Sequence, residues 1–121
     1  TIFWLNATDP LSPCGLGLEG LSNLPRRIPS NYLVFHGTRV VLVIERQGKV
    51  LDIRVPPNDP NLPKYLDVLR HLAYRSFAPK RKLNIETIND EPATISAYAD
   101  VLDDAFDLIR DFQSLYIQRQ L

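Results

Sequence analysis

Residues 40–44 read Val-Val-Leu-Val-Ile, and this run constrains the fold more than any other. β-Branched side chains are stiff at χ1 and suit a pleated surface better than a helix. Both parities of the run are apolar, so a strand here must be covered on both faces. Tyr32, Leu33, Val34 and Phe35 form an apolar run before it that leads to Gly37. Gln47-Gly48 follows it and predicts a tight hairpin turn, because glycine accepts positive φ. From residue 50 to 55 the pattern alternates, with Leu51, Ile53 and Val55 on one face and Asp52 and Arg54 on the other. Pro56-Pro57 ends it. The hairpin of residues 40–55 is the expected core, with Leu42 and Leu51 deepest.

The flanking patterns extend this hairpin into one domain, as the 121-residue length also implies. Leu62, Tyr65, Leu66, Leu69, Leu72, Ala73 and Ser76 recur at three- and four-residue steps, one stripe of an amphipathic helix. Asn61 or Asp59 can cap it, Pro63 fits its first turn, and Pro79 closes it. Residues 83–89 read as a strand and Asn89-Asp90-Glu91-Pro92 as a turn. Ile95, Tyr98, Ala99, Leu102, Ala105 and Phe106 mark a second amphipathic helix. Residues 108–112 and 115–118 read as a last hairpin. Residues 32–121 are therefore expected to form an α+β fold in the order β-β-β-α-β-α-β-β. It would hold an antiparallel, partly barrel-like sheet and two amphipathic helices. Residues 1–31 read as an irregular arm packed on that domain. Pro10, Pro13, Pro25 and Pro29, with Gly15, Gly17 and Gly20, break regular structure there. Ile2-Phe3-Trp4-Leu5 is apolar enough for a strand, and Leu11, Leu16, Leu18 and Leu21 would pin the remainder.

Much chemistry is missing. Cys14 is the one cysteine, so no disulfide framework arises within the chain. His36 and His71 lack the spacing of a zinc site. There is no glycine-rich phosphate loop, no HExxH, no GxSxG and no Mg²⁺-binding acidic box. Asp90-Glu91 and Asp103-Asp104 read as a solvated turn and a helix end. No catalytic residue, metal ligand or cofactor site is assigned. No apolar run reaches the roughly 18–20 residues a membrane helix needs. Without a secretory signal pattern or any methionine, the chain reads as a piece of a larger cytoplasmic protein.

Charge is neutral in total, with 14 basic and 14 acidic residues, but polarised along the chain. Residues 64–82 carry six cations against Asp67 alone, and residues 26–54 carry six against Glu45 and Asp52. Residues 86–111 carry eight acidic groups against Arg110. Lys64, His71 and Arg75 fall on the helix face opposite the apolar stripe. That face is either a solvated surface or a phosphate-contacting patch running into Lys80-Arg81-Lys82. Cations after a helix end also complement its dipole.

Several short strings, in this order, carry a family resemblance. Asn6-Ala7-Thr8-Asp9-Pro10 with Ser12-Pro13-Cys14-Gly15 resembles the A-T-D-P-x-N-P-Y-G segment in the C-terminal region of Lhr, the large helicase-related proteins of bacteria. Glu45-Arg46-Gln47-Gly48-Lys49 resembles that family's E-R-G-G-R hairpin. Ile88-Asn89-Asp90-Glu91-Pro92 resembles its turn before the last helix, and Ala105-Phe106 falls at its G-F. Ala105 and Asp90 replace glycines, and Ser12 and Cys14 replace Asn and Tyr. Lhr proteins are superfamily 2 helicases that use ATP and Mg²⁺ to move on single-stranded DNA. Longer members end in winged-helix modules and a β-barrel-like domain similar to one in a family of DNA glycosylases. The resemblance implies that this chain is that last domain, with the ATP and Mg²⁺ sites elsewhere in the parent.

The expected function is thus an accessory domain that helps a helicase engage single-stranded nucleic acid. Arg26, Arg27, Lys64, Arg75, Lys80, Arg81 and Lys82 are the candidate contacts. Two alternatives stand beside it: a docking module for other domains of the parent or a partner protein, and part of a glycosylase-type repair site. The purified domain is expected to show no ATP hydrolysis. A coupled phosphate-release assay with and without single-stranded DNA checks this, and DNA-stimulated turnover that copurifies with the chain refutes it.

Overall fold

The computed structural model describes residues 1–12, 24–75, 82–106, 108–110 and 115–118. In chain order it holds β1 (Ile2–Asn6), β2 (Tyr32–His36), β3 (Arg39–Glu45), a 3₁₀ turn (Arg46–Gly48), β4 (Val50–Ile53), α1 (Leu62–Tyr65) and α2 (Asp67–Arg75). Then follow β5 (Lys82–Ile85), β6 (Thr87–Ile88), β7 (Glu91–Pro92), a second 3₁₀ turn (Ala93–Ile95), α3 (Ala99–Ala105), β8 (Leu108–Arg110) and β9 (Leu115–Gln118). The α+β class expected from the sequence is what the chain adopts.

Six strands form one mixed sheet in the order β1-β2-β3-β4-β6-β7. Neighbours are antiparallel except β4 and β6, which run parallel. The sheet has two ends, β1 and β7, and does not close into a barrel. A smaller antiparallel sheet has the order β5-β9-β8.

The β3–β4 hairpin lies in the middle of the larger sheet, and residues 40–44 are all buried. A bulge explains how both faces are used. Val34 pairs with Leu42 but Phe35 pairs with Val40, leaving Val41 as the extra residue. Val41 and Leu42 therefore both enter the main core, with Ile44, Leu51 and Ile53 and the helix residues Leu62, Leu66, Leu69 and Leu102. Val40 and Val43 enter a second cluster with Leu33, Phe35 and Ala7, onto which Leu5 and Leu24 pack. The first 31 residues thus contribute a paired strand and part of the second core.

Three expectations need correction in detail. The helix over 62–76 is two pieces joined through Leu66, whose N–H bonds to Leu62 while its carbonyl takes the Leu69 N–H three residues on. The strand over 83–89 divides at Glu86, because β5 joins the small sheet and β6 the large one. The Lys49 carbonyl accepts the N–H groups of both Glu86 and Thr87, which holds the division. The second helix starts at Ala99, and Ile95 lies 74% exposed. Ser96 is extended, and its Oγ accepts the Tyr98 N–H at 3.1 Å, so the helix cannot begin earlier.

The Asn89-Asp90 turn matches its sequence well. Both residues have positive φ, 52° and 65°, as a two-residue hairpin between β6 and β7 requires. Asn89 does more than turn the chain. Its Oδ1 accepts the Ile53 N–H at 2.6 Å and its Nδ2 donates to the Ile53 carbonyl at 3.0 Å, extending the β4 ladder with a side-chain amide.

Leu42 is fully buried at the centre of the main core. Leu42→Ala is expected to cost about 2–5 kcal/mol. A chemical denaturation curve measures this, and an unchanged midpoint contradicts the placement.

Candidate nucleic-acid interface

The turn between β3 and β4 is unusual in its backbone. Glu45 pairs with Val50, and within the four-residue connection Arg46, Gln47 and Gly48 have φ of 54°, 60° and 101°. Glycine occupies such a conformation freely, while for Arg46 and Gln47 it costs about 1 kcal/mol each. Hydrogen bonds from outside the hairpin hold it. The Arg46 N–H donates to Asn31 Oδ1 at 3.3 Å, and the Gln47 N–H donates to the Ser30 carbonyl at 2.9 Å. The side chains of Arg46, Gln47 and Lys49 are exposed.

Asn31 is buried and fully bonded. Its Nδ2 donates to the Arg26 carbonyl at 2.9 Å, and its backbone N–H donates to the Ile28 carbonyl at 3.1 Å. Its own carbonyl accepts the Ala7 N–H at 2.9 Å. Arg26 is thereby carried to the hairpin tip with its side chain exposed. Arg27 has another task. It donates to the carbonyls of Asp9 and Ser12 at 3.0 and 3.2 Å, tying the turn after β1 to the loop before β2. In that turn Asn6 Oδ1 accepts from Thr8 and Asp9 Oδ1 accepts the Leu11 N–H, so the Asn-Ala-Thr-Asp-Pro string is a pair of side-chain-closed turns.

The end of α2 reaches the same place. Tyr65 Oη lies 2.6 Å from His36 Nδ1, and the His71 ring lies 6.0 Å from Trp4, which pairs with Val34. The helical stretch therefore runs from the His36 end of β2 toward its Tyr32 end. Tyr32 pairs with Ile44, beside the hairpin tip, and both α2 and β5 pack against the tip turn. Arg75 closes α2 and Lys82 opens β5. Lys80 and Arg81 lie outside the described residues. Lys64, exposed on α1, stands at the far end, about 16 Å back along the helical stretch at 1.5 Å per residue. Of the seven expected contacts, the structure brings Arg26 and the Arg75 end of α2 to one turn and sets Lys64 apart; β5 meets the turn at its Glu86 end, with Lys82 at the opposite end of that strand. Arg46 and Lys49, counted among the cations of residues 26–54 but not among the expected contacts, belong to this group. Their signal in the sequence was the basic pair flanking Gln47-Gly48.

Glu45 opens this turn and exposed Glu86 adjoins it through the Lys49 carbonyl, while the other acidic groups of the described residues lie elsewhere. The Asn89-Asp90 turn sits at the Ile53 end of β4, away from the tip, and α3, with Asp100, Asp103 and Asp104, packs against α1. Tyr98 leads into α3 and donates to the Val55 carbonyl at 2.5 Å. Burial pushes the Tyr98 phenol above its ordinary value; a hydrogen bond with Asn89 opposes this and the Asp52 carboxylate adds to it. Tyr98 therefore stays a neutral donor at neutral pH. On α2, Asp67 engages Arg70 at 3.4 Å and His71 at 3.6 Å, and Arg70 also lies over the Phe106 ring. Among the described residues no three His, Cys, Asp or Glu side chains come together as metal ligands. In comparisons with protein-family models, curated proteins and solved structures, nothing matches the chain.

Removing the Asn31 amide should loosen the tip. Asn31→Ala leaves the Arg46 N–H and the Arg26 carbonyl without their partner and is expected to cost about 2 kcal/mol. Thermal melting reads the cost, and hydrogen exchange at Arg46 reads the loosening. A protected Arg46 amide in the variant contradicts the assignment.

Proposed function

We propose that this chain is a nucleic-acid-binding accessory domain, working within a longer ATP-dependent helicase of the Lhr type and holding no ATP site itself. Its basic end would grip the phosphates of a single strand, DNA in the first instance, while the acidic helix side faces away or toward a basic neighbouring domain. The supporting observation is the convergence of cations from separate stretches of chain around the β3–β4 tip: Arg26 before β2, Arg46 and Lys49 in the turn, and the end of α2 that carries Arg75. Four cations there outnumber the nearby Glu45 and Glu86, the local field a polyanion requires.

Fluorescence anisotropy with a labelled single strand at several salt concentrations tests this. The Arg26→Ala/Lys49→Ala variant should bind more weakly, with a salt slope shallower by roughly 0.7 per lost contact. Equal slopes for variant and wild type would remove the phosphate reading. The docking alternative has its own support: Leu11 is 81% exposed and Ile28 is exposed on the adjoining loop, the two turns being joined by Arg27. It becomes the better account if binding is absent.

A further inference from the structure

Arg46 and Gln47 break the local rules of the turn they occupy. Left-handed positions in hairpin turns favour Gly, Asn and Asp, as the Asn89-Asp90 turn of this same chain illustrates. Here the two consecutive left-handed positions before Gly48 carry long polar side chains instead. Both are exposed, and neither has a hydrogen-bond or ion-pair partner among the described residues. They stabilise nothing visible, while their backbone strain is held by Asn31 and Ser30. Residues that strain the backbone and support no contact in the fold concentrate at functional sites.

We propose that Arg46 and Gln47 are a base-reading pair for unpaired purines, an inference that rests on the nucleic-acid reading of the same end of the molecule. The guanidinium matches the O6/N7 edge of guanine and the carboxamide matches the N6/N7 edge of adenine, each with two hydrogen bonds. The surrounding cations hold phosphates and carry no base preference. The bases must be unpaired because the tip is not a free ribbon. β2 and β6 flank β3 and β4, and α2 and β5 pack against the turn. A hairpin so enclosed cannot enter a duplex groove, whereas bases splayed from a single strand can come to it.

The test uses the domain as it exists, a labelled mixed A/G strand, its pyrimidine complement and the duplex of the two. Wild type should prefer the purine strand to the pyrimidine strand by roughly tenfold, and the duplex should bind no better than the pyrimidine strand. Arg46→Asn/Gln47→Gly should abolish the preference and raise the melting temperature by about 5 °C, since the turn now carries residues suited to it. Arg46→Lys, which keeps the charge and loses the fork, should reduce the preference with an unchanged salt slope. Equal affinity of wild type for the two single strands, tight duplex binding, or a preference that survives the double substitution overturns the proposal while leaving phosphate binding intact. A lower melting temperature in the double variant overturns the argument that these residues oppose the turn. Absence of wild-type binding to every strand removes this proposal and the broader reading together.

Discussion

Asn31 joins three segments of the chain through its carboxamide and its backbone. Through its four polar groups it takes hold of Arg26, Ile28, Ala7 and Arg46. Each of those groups would otherwise need water, and Asn31 is itself buried, so the bonds are made in a medium where leaving one unmade is costly. The arm, the edge strand β1 and the central hairpin are thus held in one arrangement by one residue, its carboxamide binding Arg26 and Arg46 and its backbone binding Ile28 and Ala7. The strained tip of the hairpin persists because this scaffold over-determines it.

The placement of the helix cations follows from that arrangement. Helical residues 62–75 run back along the sheet, so a cation at one end of the stretch and a cation at the other are delivered to different ends of the molecule. Arg75 arrives at the β3–β4 tip, and Lys64 remains near His36 and Tyr65. The parallel pairing of β4 with β6 sends the Asn89-Asp90 turn the other way, to the Ile53 end. Connectivity, not composition, distributes the charged groups.

Two asparagines show how much a folded chain draws from side chains that sequence patterns treat as turn punctuation. Asn89 supplies a donor and an acceptor to Ile53 and lengthens the β4 ladder beyond the two residues of β6. Asn31 was unremarkable in the sequence, since a buried amide leaves no periodic mark. Arg27 was legible as a cation, but its use as a brace between Asp9 and Ser12 depended on a turn eighteen residues away. In each case residue type was visible and partner was not.

The sequence by itself determined the element types. The β-branched run at 40–44, the alternation at 50–55 and the helical stripe from Leu62 are local patterns whose period fixes helix or strand and which side is buried. It also set the left-handed turn at Asn89-Asp90, because those residues tolerate positive φ. Tertiary structure decided the rest. Whether residues 83–89 formed one strand or two depended on which sheet offered a partner, and the Lys49 carbonyl decided it. Whether β1 belonged to an arm or to the sheet depended on the free edge of β2. Which cations share a surface depended on the direction of α2 across the strands. Hydrogen-bond partners and surface neighbours are non-local quantities, and a periodic pattern in one segment contains no record of the segment that will pack against it.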